Sequence, residues 1–184
     1  MTFSLQQLQE EQVPWVKHNF GDRAAYQPLL GMTEELGEFC YAVGMMRTQG
    51  RAFEKELVDA HADILIYMCD FATGIDVRMA DIEDVLPEEH DEEAGTFALS
   101  EVSLCLAEYL GEVSHHYLKR EQGIRGSASE HHDGMVAGLK KMISSLKLVA
   151  EMFDWPFLEK VESIWAQVKK RDWKKDPKHA DQNV

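Results

Sequence analysis

Apolar residues recur along this chain at helical spacing. Met32, Leu36, Phe39 and Val43 stand at i, i+4, i+7 and i+11, one stripe of a helix that turns about 100° per residue. Leu57, Ile64 and Met68 continue the habit. Residues 64–68, Ile-Leu-Ile-Tyr-Met, would suit a buried strand in isolation. They lie, however, inside a run from Phe53 to Ala72 without Gly or Pro, and Gly74 sits where a C-terminal cap belongs. That context predicts a helix. Leu158, Val161, Trp165 and Val168 form a further stripe, with Asp154 and Pro156 as start signals. Alternating strand patterns and hairpin dipeptides are missing. The predicted fold class is all-α, a helical bundle.

Two stretches interrupt the periodicity. Pro87–Gly95, PEEHDEEAG, reads as a solvated acidic linker whose like charges repel. Gly123–Gly138, rich in Gly, Ser and His, reads as a mobile loop. The linker divides the chain almost in half, and the halves share a pattern. Glu34-Glu35-Leu36-Gly37-Glu38 aligns with Glu108-Tyr109-Leu110-Gly111-Glu112, and Arg47-Thr48-Gln49-Gly50 aligns with Arg120-Glu121-Gln122-Gly123. Two matches in order at nearly constant offset predict a tandem duplication. The second copy has lost acids: Tyr109 replaces Glu35, and Asp59 and Asp63 fall opposite residues around Ala137 and Lys141. The expected organisation is a first helical half over 1–86, the linker over 87–95, a degenerate second half over 96–176 and a tail over 177–184, with packing as a single domain also open.

Composition narrows the partners. With 19 basic and 33 acidic residues among 184, the formal charge is −14 and the sequence pI near 4.9. Such a charge argues against nucleic acid or an anionic membrane as main partner, and fits a protein that needs a cation before it approaches a phosphorylated molecule. No window reaches about 18 apolar residues, and the N-terminal stretch lacks the order of a secretory signal. A cytoplasmic location is the expectation. Cys40, Cys69 and Cys105 are odd in number and set among apolar residues, which predicts three buried free thiols.

The acids are patterned as well as numerous. Glu34 and Glu38 lie one helical turn apart, Glu35 and Glu38 are neighbours at i, i+3, and their side borders the apolar stripe. On the next helix Glu56, Asp59 and Asp63 stand at i, i+3 and i+7 on one face. A solvated helix face interleaves Lys or Arg at these spacings. Here Lys55 is the only nearby base. Like charges so crowded ask for a cation between them, and a hard divalent ion with oxygen ligands, Mg²⁺ above all, meets that need.

These residues resemble a known family. Leu29–Glu38, LLGMTEELGE, resembles the EExxE helix of MazG-like nucleotide pyrophosphohydrolases, and Asp59–Tyr67, DAHADILIY, resembles their second acidic helix. Trp15 with Asn19-Phe20-Gly21 is similar to the family's N-terminal helix and turn, and Ile164-Trp165 with Arg171-Asp172-Trp173-Lys174-Lys175 to its closing helix. The resemblance implies an α-helical hydrolase that cleaves nucleoside triphosphates between the α and β phosphates with Mg²⁺, Mn²⁺ being the alternative ion. Carried over by position, Glu35, Glu38 and Asp63 become metal ligands, and Glu34 a further ligand or the base that activates water. One departure stands out. Many relatives carry ExxD on the second helix, but Ala60 stands three residues before Asp63, so Asp59 or Glu56 must substitute. Near the end, Lys169, Lys170, Arg171, Lys174 and Lys175 gather around Trp173; Arg171 and Lys174 are the expected phosphate contacts, with Trp173 beside them. Because relatives assemble the site from two subunits, the two halves are expected to form a monomeric pseudo-dimer with one complete site, or the chain a homodimer.

Other readings remain open at this stage. A catalytically degraded helical module could bind nucleotide or a protein partner without turning it over. Glu112-Val113-Ser114-His115 has the ExxH spacing of di-iron bundles, but no second such pair accompanies it. His115-His116 and His131-His132 read as loop or solvated histidines, and Met32, Met45 and Met46 as core filling. Trp15, Trp155 and Trp165 read as core or interface anchors. No Walker-type glycine loop, nucleophile elbow or basic stripe for duplex DNA is present.

Overall fold

Each predicted stripe lies on a helix and faces inward. A computed structural model describes residues 3–86 and 95–178. Among these, six α-helices follow in order: α1 (Leu5–Phe20), α2 (Tyr26–Gln49), α3 (Glu54–Gly74), α4 (Gly95–Gln122), α5 (Ala128–Met152) and α6 (Phe157–Val168), with short 3₁₀ turns at Gly50–Phe53 and Met79–Asp81. The described residues contain no strand, and none of their helices is long and apolar enough to cross a membrane. Met32, Leu36, Phe39 and Val43 are all buried, as are Leu57, Ile64 and Met68, so the stretch that could pass for a strand is the centre of a core helix. Val161, Trp165 and Val168 are buried on α6, and Leu158 is half-buried against them.

Two helical hairpins carry the architecture. α2 lies along α3 and α4 along α5; α2 also packs on α4, while α1 and α6 cross α3. One core runs through both hairpins. Buried amides fasten α1 to this frame. Gln9 donates to the Val77 carbonyl at 2.8 Å and accepts from the Met79 N–H at 2.9 Å, and Gln12 donates to the Ile66 carbonyl at 2.9 Å. These bonds hold the N-terminal helix in register on α3, although Gln12 Oε1 is buried without a partner among the described residues.

Two expectations need correction. Gly123–Gly138 is not a loop: only the first residues of it connect the helices, and α5 begins at Ala128. Ser127 caps that helix in a reciprocal capping box with Glu130, a Ser-x-x-Glu signal readable in the sequence. Its glycine content has a packing cause. A Cβ on Gly138 would lie 2.6 Å from Val113 Cγ2 and 3.4 Å from the Tyr109 carbonyl, so α4 and α5 can approach only where that Cβ is missing. The cysteines are the second correction. All three are free thiols, but Cys69 alone is buried; Cys40 is exposed and Cys105 intermediate. Apolar neighbours in sequence do not place a residue on the inner face of its helix. Gly95 of the predicted linker opens α4, and the rest of that segment, 87–94, lies outside the described residues.

Candidate functional site

The acids of α2 and α3 meet across the first hairpin. Leu36 and Phe39 point into the core, which turns Glu35 to the edge of the α2–α3 contact and leaves Glu34 and Glu38 exposed. On α3 the buried Ala60, Ile64 and Leu57 likewise leave Asp59 and Asp63 half-buried on the facing side. Burial pushes the Glu35 carboxyl up to about 8, and Asp63, Glu38 and Glu34 add to the effect while Arg171 opposes it. Asp63 is pushed up to about 6, again mainly by burial; Arg171 pulls it down, and Asp59 and Glu38 push it up. Asp59 is raised by burial, with Lys55 opposing and Glu56 reinforcing. Glu34, Glu35, Glu38, Asp59 and Asp63 thus form one electrostatic unit. Glu56 is exposed and reaches it only through Asp59.

Among the described residues, none of these five carboxylates has an ion-pair partner within 4.0 Å. Neither do three of them stand close enough together to hold a metal ion as they are. The donor chemistry nevertheless suits a hard divalent cation: all the donors are carboxylate oxygens, half-buried or at the surface, with charge that neighbouring bases leave uncompensated. Side-chain rotation on two fixed helices is what closing around such an ion would require.

The C-terminal segment supplies the opposing charge through one residue. Arg171 lies near enough to Glu35 and Asp63 for its charge to lower both carboxyls without forming an ion pair, and its Nε is buried without a hydrogen-bond partner among the described residues. Lys174 is exposed, and Trp173 is fixed on α1 by its backbone N–H, which donates to Asn19 Oδ1 at 2.7 Å. Of the three predicted substrate contacts, Arg171 alone faces the acids.

Sequence reading missed two neighbours. Tyr67 follows Asp63 by one turn; burial, Glu35, Glu34 and Asp63 all raise its phenol, and Arg23 opposes them. Its ring packs against α2 at Gly31, where any Cβ would collide with it. Arg23 is ion-paired with Asp70, and its guanidinium lies 4.8 Å from the centroid of Phe20. A cleft of about 210 Å³ opens beside them, lined by Val13, Val16, Lys17, Arg23, Asp70 and Thr73 among others. A Tyr one turn beyond a site acid is a signal that spacing alone could have supplied. Arg23 carries none, because only folding brings the α1–α2 turn onto α3.

The second hairpin handles its acids differently. Lys141, opposite Asp63 in the internal alignment, donates to Glu112 at 2.8 Å and lies 5.0 Å from the centroid of Tyr109. His115 is exposed, and Glu112 of the ExxH pair is thereby engaged. His116 and His131 meet Nδ1 to Nδ1 at 3.2 Å, and His131 Nε2 donates to the Ile124 carbonyl at 2.9 Å, so these two histidines pair with each other instead of standing in solvent. No protein-family model, no curated protein and no solved structure matches this chain, so the reading of the site rests on its own residues.

Proposed function

We propose that this chain hydrolyses a nucleoside triphosphate, a deoxy or non-standard one included, to monophosphate and pyrophosphate at the α2–α3 acids, with Mg²⁺ (or Mn²⁺) as cofactor. One observation carries the reading: five carboxylates, three of them half-buried, gather on α2–α3 with no base among the described residues paired to them, while Glu112 on α4–α5 is paired with Lys141. Glu35, Glu38, Asp59 and Asp63 would hold the ion. Bound there, the ion would bridge acids and phosphates, polarise phosphoryl oxygens and lower the pKa of a water.

The chain's own groups then have distinct tasks. Glu35, pushed up to about 8 by burial among the other acids, would lose its proton as the ion enters and then accept one from water. Glu34, exposed beside it, passes that proton to solvent or takes the role itself. Arg171 supplies a cation beside the acids for a phosphate, which a protein of charge −14 otherwise repels. The resemblance to MazG-like pyrophosphohydrolases points to the same chemistry, and the tandem, pseudo-dimeric arrangement belongs to this proposal.

A second reading is a helical module that binds nucleotide or a protein without turnover. Ala60 in place of an acid, and the absence of any three carboxylates already drawn together among the described residues, favour it. The two separate on product. Pyrophosphate release from a panel of ribo- and deoxyribonucleoside triphosphates, with Mg²⁺ and with chelator, shows turnover in the first case. Saturable binding without product shows the second.

A further inference from the structure

The segment that carries Arg171 has no regular structure of its own, yet it is held at four points. Along α1, Glu11, Trp15, His18 and Asn19 stand at i, i+4, i+7 and i+8, on one side of the helix. Glu11 Oε2 accepts from Trp165 Nε1 at 2.9 Å and from Lys169 Nζ at 3.0 Å. Trp15 Nε1 donates to the Arg171 carbonyl at 3.1 Å. His18 Nε2 lies 3.3 Å from Asp172 Oδ1. Asn19 accepts from the Trp173 N–H at 2.7 Å while its own amide donates to the Trp15 carbonyl at 3.0 Å. Thus α1 grips the chain at 169, at 171, at 172 and at 173, on both sides of one side chain.

We infer that α1 is a clamp that positions Arg171, with Trp15 and Asn19 fixing the backbone around it so that its charge stays beside Glu35 and Asp63, where it would meet a phosphate borne by a cation on those acids. This inference rests on the proposed reading of the acidic site as a phosphate-binding one. The physical argument is one of reach and entropy. An arginine on a free segment spends its attraction on ordering several backbone residues, about 1–2 kcal/mol for each. An arginine on a clamped segment has only its own rotamers left to order. Asn19 is 7% exposed and sits at the end of α1 next to the turn at Gly21, so its amide is in place before any ligand arrives. Asn19 and Trp15 are therefore positioning residues. They touch no substrate and act through Arg171.

The test is calorimetric titration of pyrophosphate in excess Mg²⁺, together with steady-state kinetics, on the wild-type chain, Asn19→Ala, Arg171→Ala, the double variant and Gln9→Ala. Gln9→Ala removes buried hydrogen bonds of α1 away from the clamp and controls for loss of stability; circular dichroism confirms that each variant is helical. The expected result is that Asn19→Ala and Arg171→Ala each weaken pyrophosphate binding about tenfold, with the double variant no weaker than Arg171→Ala alone and Gln9→Ala like wild type. Wild-type affinity in Asn19→Ala, or losses that multiply in the double variant, would overturn the clamp while leaving the acidic site intact. A wild-type chain that neither binds pyrophosphate nor turns over any triphosphate would overturn the functional reading, and the clamp's role with it.

Discussion

Lys141 Nζ lies 2.8 Å from Glu112 Oε2 on the α4–α5 hairpin, whereas Glu38 and Asp63 on the α2–α3 hairpin have no base within 4.0 Å among the described residues. One hairpin neutralises its acid with a lysine, and the other leaves its acids without a base. That contrast gives the acidic cluster its meaning, because an ordinary surface solves the same crowding in the way Lys141 does. Both partners of the α4–α5 pair are more than a third exposed, so the bond itself adds little stability.

The first prediction concerns that pair. Lys141→Ala is expected to cost less than about 1 kcal/mol in denaturant melts and to leave metal-dependent turnover at its wild-type level. A loss of turnover comparable to that of the acid variants on α2 would mean the second hairpin belongs to the site.

A second prediction follows from Glu35. Its carboxyl titrates at about 8 in the folded chain against 4.5 for the ordinary group, so the folded state holds the proton more tightly. The stability this contributes is fully present below pH 4.5 and is lost as the pH rises through 8. In chelator, Tm should therefore fall as the pH rises from 4.5 toward about 8 and level off above it, and Glu35→Gln should flatten the slope. Added Mg²⁺ should reverse the fall, since a cation replaces the lost proton. A flat wild-type profile contradicts the burial of Glu35 among acids.

His61 gives a prediction of opposite sign. The ring is 1% exposed, lies between Trp155 and Phe157, and donates from Nε2 to the Leu146 carbonyl at 2.8 Å. Burial lowers its pKa from 6.5 to about 4, so this stability is present above pH 6.5 and lost as pH falls through 4. His61→Leu removes this bond, while the Leu146 carbonyl lies within α5 and keeps its helical partner, so the variant should cost about 0.5–1.5 kcal/mol at neutral pH. The difference from wild type should shrink toward about pH 4.5, as urea melts at both pH values would show.

Gly138 sets the spacing of α4 and α5. Gly138→Ala gains about 1 kcal/mol in helix propensity but drives a methyl into Val113, a branched side chain stiff at χ1, with the Tyr109 carbonyl close behind. Overpacking at about 1–3 kcal/mol wins, and a net loss of stability is expected in thermal melts. A stabilised variant would mean the two helices can part at no cost.

Much of this was legible in the chain because helical periodicity reports burial directly. Met32, Leu36 and Phe39 on α2 and Ile64 and Met68 on α3 all face the core, and that alone fixes where Glu35 and Asp63 must lie. The start of α5 was hidden because Gly and His usually mark loops, whereas here Gly138 permits a close helix contact and His131 pairs with His116. Lys174 was indistinguishable from Arg171 in a basic run. The backbone around Arg171 is held by a bond from Trp15 and by one that Asn19 accepts from Trp173, contacts distant in sequence that no local pattern encodes. Arg23 and Tyr67 were missed for related reasons: one arrives through a turn, and the other was absorbed into an apolar run.

The most direct test of the central claim compares two paired variants in Mg²⁺-dependent pyrophosphate release. Glu35→Gln with Glu38→Gln should abolish release, whereas Glu108→Gln with Glu112→Gln should leave it near the wild-type rate. Equal loss in both would contradict a single acidic site on α2–α3, and undiminished release in the first pair would contradict the site altogether.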